Sequence, residues 1–273
     1  MNVRLLNYGF YFLLVIIFVL IAGPFDKLFI FLALILSLAF SYISFLLRWL
    51  SLDGLKSATV VGTLSLGFGG LEYLAYLLFF FLSSNILGKL AQRNIANLTL
   101  KLAERRSGSQ VWANSFWFCI FVSLFYTTDV WAFGVAAASA MAVATADTWA
   151  TIIGSSISSK AKLITNFKSV PAGTDGGVTL TGTFAALAGS ASIALLFFWF
   201  DQPFVFLAAT TIFISGFLGC MADSYFGALL QVENADEHKL SLTINNNIVN
   251  WLATGFGAVI SLLLYNILLY ALV

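Results

Sequence analysis

Charge is scarce in this chain, and its scarcity excludes most soluble architectures. Only 9% of the residues are Asp, Glu, Lys or Arg, while 60% are hydrophobic. No hydrophilic stretch is long enough to fold as a separate soluble domain. Residues 1–273 therefore read as one membrane domain, with two N-terminal helices in 1–50 ahead of a core in 51–273. Cysteine is scarce as well. Cys119 and Cys220 both fall in apolar segments, which argues against a structural disulfide or a thiolate metal site. The single histidine, His238, sits in a mixed polar stretch and reads as solvated, so no imidazole is available inside the apolar segments. No signal-cleavage site follows the first apolar run, Leu5 to Ala22, which reads as a retained helix. The net charge of +1 identifies no partner, and nothing points to nucleic acid.

Long hydrophobic runs are what the chain has instead. They fall at 5–22, 28–47, 55–70, 71–88, 111–126, 130–150, 183–200, 204–226 and 247–271. The expected fold is an all-α, polytopic integral membrane helical bundle of about nine transmembrane segments, several of them near the roughly 20 residues that span a bilayer. With the N-terminus cytosolic, the inner connections hold Arg4, Arg48, Lys56, Lys89, Arg93, Lys101, Arg105, Arg106, Lys160, Lys162, Lys168 and Lys239, and the outer ones only Lys27. That asymmetry follows the positive-inside rule. Segments 55–70 and 71–88 are short, and Gly67-Phe-Gly-Gly70 between them reads as an outer turn or as a break in a re-entrant pair.

The inner connections are the polar part of the chain. The first carries Lys89, Arg93, Lys101, Arg105 and Arg106 against Glu104. It reads either as contact with anionic lipid or as an anion site at Arg105 and Arg106. A later one ends in Gly173-Thr-Asp-Gly-Gly-Val-Thr-Leu-Thr-Gly-Thr183. Glycines permit close backbone approach to a ligand, and hydroxyls with an aspartate add phosphate and metal contacts. Asp147 and Asp223 each lie near the inner end of a segment that runs inward, and Asp175 lies in the loop itself. Three carboxylates at one depth, beside basic loops, suit Mg²⁺ bound to phosphates. The bland readings are that single aspartates cap helices and that Gly182 and Gly189 serve close helix packing.

At these residues the chain resembles a known family. Ser109-Gln-Val-Trp-Ala-Asn114, Ala146-Asp-Thr-Trp-Ala150, Val170-Pro-Ala-Gly-Thr-Asp-Gly-Gly177, Gly219 to Gly227 with Asp223-Ser224, and Asn246 to Asn250 are similar, in order, to the transmembrane protein 19 family, which includes the phytyl-phosphate kinases. More distantly, Asp147, Gly154, Lys168-Ser169 and Gly182-Thr183 resemble CTP-dependent polyprenol kinases and CDP-diacylglycerol synthases. The resemblance implies that CTP, with Mg²⁺, donates its γ-phosphoryl group to an isoprenyl monophosphate lipid, giving the diphosphate. The chain departs from the family at Ile152, where a Glu is common, and at Asn247, where Asn-Asp is common. Ile152 lies about 140° from Asp147 around an ideal helix, so a common site would need the helix to end or bend near Gly154.

For a kinase the expected roles follow from charge and geometry. Asp147 and Asp223 hold the metal, with Asp175 a third ligand. Gly173, Thr174, Asp175, Gly176 and Gly177 cradle nucleotide phosphates, and Lys168 neutralises the transferring group. Arg105, Arg106, Gln110, Asn114, Asn246 and Asn250 are candidates for phosphate binding. A phosphate acceptor is already a competent nucleophile, so no general base is needed. The rival readings are an ion-coupled transporter, a cytidylyltransferase that releases pyrophosphate, and a family member that binds a lipid phosphate without turnover.

Overall fold

The computed structural model describes residues 2–94, 105–200, 204–231 and 245–272. Lys101, Asp201, His238 and Lys239 lie outside the described residues. Helices α1 (Val3–Leu20), α2 (Pro24–Leu46), α3 (Leu52–Asn94), α4 (Gly108–Thr128), α5 (Trp131–Ile157), α6 (Leu180–Phe197), α7 (Val205–Leu230) and α8 (Asn246–Leu272) form the bundle. Among the described residues, all 8 are long and apolar enough to cross a membrane. Their starts carry the expected caps. Asn2 accepts the Leu5 amide, and Ser107 and Gln110 close a reciprocal capping box on α4. Thr179 accepts the Gly182 amide at the start of α6.

Helix α3 is a hairpin. A straight helix of its 43 residues would run about 65 Å, twice the ~30 Å of hydrocarbon it has to cross. The chain breaks at Gly70, with φ 71° and ψ −162°, a region essentially reserved for glycine. Phe68, just before the break, stacks on Tyr126, and Tyr73, just after it, packs on Phe125, so the turn lies at the C-terminal end of α4. At the opposite end, the Arg106 carbonyl abuts Gly54 of the first arm, while Lys89 of the second arm sits 4.9 Å over the Trp49 ring. The arms 52–69 and 71–94 thus supply two crossings, and eight helices make nine spans, as expected. Of the two readings of Gly67–Gly70, a turn between two crossings, rather than a break in a re-entrant pair, is the one the structure has.

Helix α5 occupies the centre. Its residues from Val135 to Ala146 are buried without exception, and most are alanine. Small side chains let neighbouring backbones approach. A Cβ at Gly189 of α6 would lie 3.0 Å from the Ala146 Cα, and one at Gly219 of α7 would lie 2.2 Å from a Val143 methyl. A Cβ at Gly257 of α8 would lie 2.3 Å from the same methyl. The connection from α5 to α6 is not a plain loop. Strands β1 (Lys160–Leu163), β2 (Ser169–Pro171) and β3 (Gly177–Val178) form a small antiparallel sheet in the order β2-β1-β3. Ala161 pairs with Val170 and Leu163 with Gly177. Arg48, Lys89, Arg105, Arg106 and this sheet share one end of the bundle, hereafter the basic end.

The hairpin break generates a stability test. At Gly70 an added Cβ meets nothing within 4 Å, so Gly70→Ala isolates backbone strain. It should destabilise by about 1–3 kcal/mol. Gly88, also open but helical, should gain up to about 1 kcal/mol on Gly88→Ala. Thermal unfolding in detergent separates the two, and equal effects would refute the strained turn.

Candidate active site

The site is assembled from several separate parts of the chain at the basic end. A cavity of about 340 Å³ is lined by Asp147 and Ile152 of α5, by Asp223 of α7, by Gly173 to Gly177, and by Asn246, Asn247 and Asn250 of α8. Gln110 and Asn114 of α4 line it too, as do Arg48, Trp49, Lys89 and Arg106. Helix α5 brings Asp147 one residue past the small cluster of Ala146, Ala186 and Cys220 that seals the bundle beneath it. Helix α7 brings Asp223 to the same level.

The two carboxylates touch. Asp147 and Asp223 are in side-chain hydrogen-bond contact, and Asp175 is near enough to Asp223 for their charges to interact. The Oδ1 of Asp223 is buried with no hydrogen-bond partner. Two half-buried carboxylates in contact favour sharing a proton or a cation. An orphaned carboxylate oxygen on a residue that lines a polar cavity fits the oxygen-ligand chemistry of Mg²⁺, which takes one or two carboxylates and fills its remaining positions with water and substrate phosphates. Among the described residues, no three His, Cys, Asp or Glu side chains are gathered as a ready-made metal site. Asp175 therefore shares the cavity without completing a three-carboxylate set.

The glycine-rich loop is shaped by two left-handed residues, Gly173 at φ 88° and Gly176 at φ 73°. Its polar groups are partly committed. The Thr174 hydroxyl donates to the Pro171 carbonyl at 2.8 Å, and the Gly177 amide donates to the Thr174 carbonyl at 2.9 Å. In this arrangement Thr174 can accept but not donate to a ligand, and Gly177 contributes shape rather than a free N–H. Gly154 and Gly182 serve packing: a Cβ at Gly154 would lie 3.2 Å from the Gly182 Cα. Helix α5 runs on unbroken to Ile157 and neither ends nor bends near Gly154, since that glycine keeps helical geometry and serves packing instead. Ile152 and Asp147 nevertheless line one cavity, because it is wide enough to reach both faces.

Arg106 is the cation built into the site. Its amide donates to the Trp49 carbonyl at 2.9 Å, and its own carbonyl accepts from the Ser51 amide at 3.1 Å. The Gly108 amide, two residues on, is held by Asp53 at 2.8 Å. These bonds pin the residue between α2 and α4. Burial lowers the guanidinium to about 10, so it stays protonated at neutral pH. Desolvation is the cause of the shift, and among the described residues no acidic group is seen to oppose it.

Two expected cations are placed elsewhere. Lys168 is exposed beside the β1–β2 turn and does not line the cavity, because the sheet folds it outward. Arg105 is exposed over the Phe45 ring and does not line it either. Gln110 does line it, but its carbonyl closes the α4 capping box. Asn250 donates to Asn114 at 3.3 Å, and its own Oδ1 is buried without a partner. Arg48 and Lys89 were visible in sequence only as part of the charge asymmetry. Nothing local marked them as lining a site.

Residues 35–258 match the family described as Integral membrane protein DUF92, a span that includes every residue named in the cavity. The chain is 34% identical over 224 residues to an uncharacterized membrane protein of Methanocaldococcus jannaschii, covering 80% of this chain and 87% of that protein. It is 28% identical over 225 residues to Protein PGR of Arabidopsis thaliana, covering 73% of this chain and 78% of that one. With Protein VTE6, chloroplastic, of the same plant, identity is 25% over 231 residues, covering 82% and 68% respectively. These matches bear out the resemblance to the transmembrane protein 19 family. No solved structure matches the chain.

The loop geometry sets a test of its own. A Cβ at Gly176 would lie 2.3 Å from the Ala228 Cβ on α7, whereas at Gly173 the nearest atom is 4.0 Å away. Gly176→Ala should undock the loop and Gly173→Ala should only strain it, by about 1–3 kcal/mol. Limited proteolysis of residues 160–178 should be markedly faster in the first variant. Equal cleavage of both would show that the α7 contact does not hold the loop.

Proposed function

We propose that this chain, which belongs to the DUF92 family of integral membrane proteins, is a membrane-embedded phosphotransferase. It moves the terminal phosphoryl group of a nucleoside triphosphate, CTP by the family resemblance, onto an isoprenyl monophosphate. The observation that carries the reading is the contact of Asp147 with Asp223, with its orphaned oxygen, in a cavity that also holds the glycine-rich loop and Arg106.

An oxygen of the acceptor phosphate attacks the γ-phosphorus, the bond to the β–γ bridging oxygen breaks, and the nucleoside diphosphate leaves. The attacking oxygen is already anionic, so the chain supplies position and charge rather than a base. Mg²⁺ held by Asp147 and Asp223 would neutralise the charge of the nucleotide phosphates. Arg106, Lys89 and Arg48 take the neutralising role first expected of Lys168, since they line the cavity and Lys168 does not. The loop from Gly173 to Gly177 walls the phosphates, and Asn114 and Asn250 offer amides to the acceptor. The basic end would face the cytosol by the positive-inside rule.

A second reading, lipid-phosphate binding without turnover, is favoured by one observation. Ile152, where the resembled kinases commonly carry Glu, lines the cavity itself. If that reading holds, Ile152→Glu should create or raise transfer. No change in rate, nucleotide affinity or Mg²⁺ dependence would remove position 152 from the site.

The decisive experiment uses purified protein, labelled CTP and a panel of isoprenyl monophosphates, with the products resolved. Diphosphate lipid should form. Asp147→Asn and Asp223→Asn should each lower the rate by about a hundredfold or more, as loss of several kcal/mol of charge stabilisation implies. Folded variants that keep more than a tenth of the rate would relegate the pair to a structural role, and release of pyrophosphate would make the chain a cytidylyltransferase. For sidedness, single cysteines at Lys168 and Thr128 should label from opposite faces, with Lys168 cytosolic. The native Cys119 and Cys220 are buried and leave a low background. Labelling of Lys168→Cys from outside would invert the site.

A further inference from the structure

The polar cavity has an apolar neighbour. Across Arg106, a second cavity of about 320 Å³ lies between α2, both arms of α3 and α4. Its walls include Leu36 and Phe40 of α2, Val61 of the first arm, and Leu77, Phe80 and Phe81 of the second. The polar side chains that reach it are Ser37, Ser41, Ser115 and Arg106, and Ser115 spends its hydroxyl on the Val111 carbonyl at 2.6 Å. Such a lining offers water too few partners, whereas it suits a hydrocarbon chain.

Arg106 lines both cavities. Its guanidinium carbon sits 5.0 Å from the Phe80 ring centre and 5.8 Å from that of Phe81. One side of the group therefore faces aromatic walls, and its N–H donors are left for the polar side. A desolvated guanidinium that no described carboxylate offsets calls for an anion, and its planar donors match a phosphate. At the other end, Leu36 borders the cavity and is 59% exposed, which puts a mouth on the lipid-facing surface of α2. The volume is at the low end of the ~300–1,000 Å³ typical of ligand pockets, room for one chain and not for the two of a phospholipid.

We propose that this cavity holds the hydrocarbon chain of a single-chain lipid phosphate that enters at Leu36, with its headgroup in the polar cavity and Arg106 paired to the phosphate at the junction. The fate of that headgroup rests on the phosphotransferase reading, but its binding does not. Substrate selection then follows from shape: chain length and branching are read between Leu36 and Phe81, away from the nucleotide.

The test is photolabelling of the full chain in lipid nanodiscs with farnesyl monophosphate carrying a diazirine at its far end. Adducts should fall on the cavity-lining peptides around Val61, Leu77 and Phe81. Unlabelled farnesyl phosphate should compete, and farnesol should compete poorly. Leu36→Trp, at an exposed position that tolerates bulk, and Val61→Phe, inside the cavity, should each cut adduct yield by about tenfold, equivalent to about 1.4 kcal/mol of lost binding. Nucleotide affinity should be unmoved in both. Arg106→Gln should weaken farnesyl phosphate and leave farnesol unchanged, with partial recovery in Arg106→Lys. Adducts confined to the outer faces of α1 or α8, or yields unchanged in Leu36→Trp and Val61→Phe, would overturn the proposal. Cavity adducts without phosphoryl transfer would sink the phosphotransferase reading and leave this one standing. Transfer with adducts elsewhere would do the reverse.

Discussion

Gly189 and Gly219 press α6 and α7 so closely onto the alanine surface of α5 that a single added methyl group would collide with Ala146 or Val143. Everything at the basic end depends on that closeness. Asp147 follows directly on Ala146, and Asp223 stands four residues beyond Gly219, so the packing that seals the bundle is also what drives the two carboxylates together. In water they would repel. Here the packing of α6 and α7 on α5 brings them into contact, and a carboxylate pair of this kind is characteristic of sites that do chemistry.

Charge of the opposite sign is supplied by a different device. Arg106 does not sit on a helix face. It is stitched by backbone bonds to Trp49 and Ser51, with Asp53 holding the start of α4 beside it. The stitching lets a cation stand between an aromatic wall and a polar cavity with no described carboxylate paired to it. Acidic pair and basic residue line one space, a combination complementary to a chain of phosphates with its metal. The α3 hairpin makes this possible, because folding back at Gly70 returns Phe80, Phe81 and Lys89 to the level of Arg106.

Membership of the DUF92 family covers the core from residue 35 to residue 258 and leaves α1 outside the match. The residues of the carboxylate pair, the loop and the α8 asparagines all fall within it. The departure at Ile152 lies inside the cavity, so it bears on chemistry. The departure at Asn247 is structurally absorbed, since that side chain donates to Ser109 at 3.1 Å and ties α8 to α4.

The spans, their number and the asymmetry of basic residues were legible in the sequence, because a bilayer demands long apolar runs and few charges whatever the tertiary fold. Asp147, Asp175, Asp223 and the glycine-rich loop were legible for a related reason: carboxylates and glycines clustered near the ends of apolar segments are too costly to be incidental. A turn between crossings at Gly70 was one of two readings, and only its left-handed backbone and the contacts of Phe68 and Tyr73 decided for it. The small sheet was not legible, since its strands are only 4, 3 and 2 residues long and carry no periodicity. Which cations reach the cavity was decided by tertiary structure alone. Lys168 and Arg106 are both basic residues in polar connections between apolar segments, indistinguishable by composition. A turn between β1 and β2 carries the first into solvent, and backbone pairing with residues more than fifty positions away holds the second half-buried at the cavity, and no local pattern encodes either outcome.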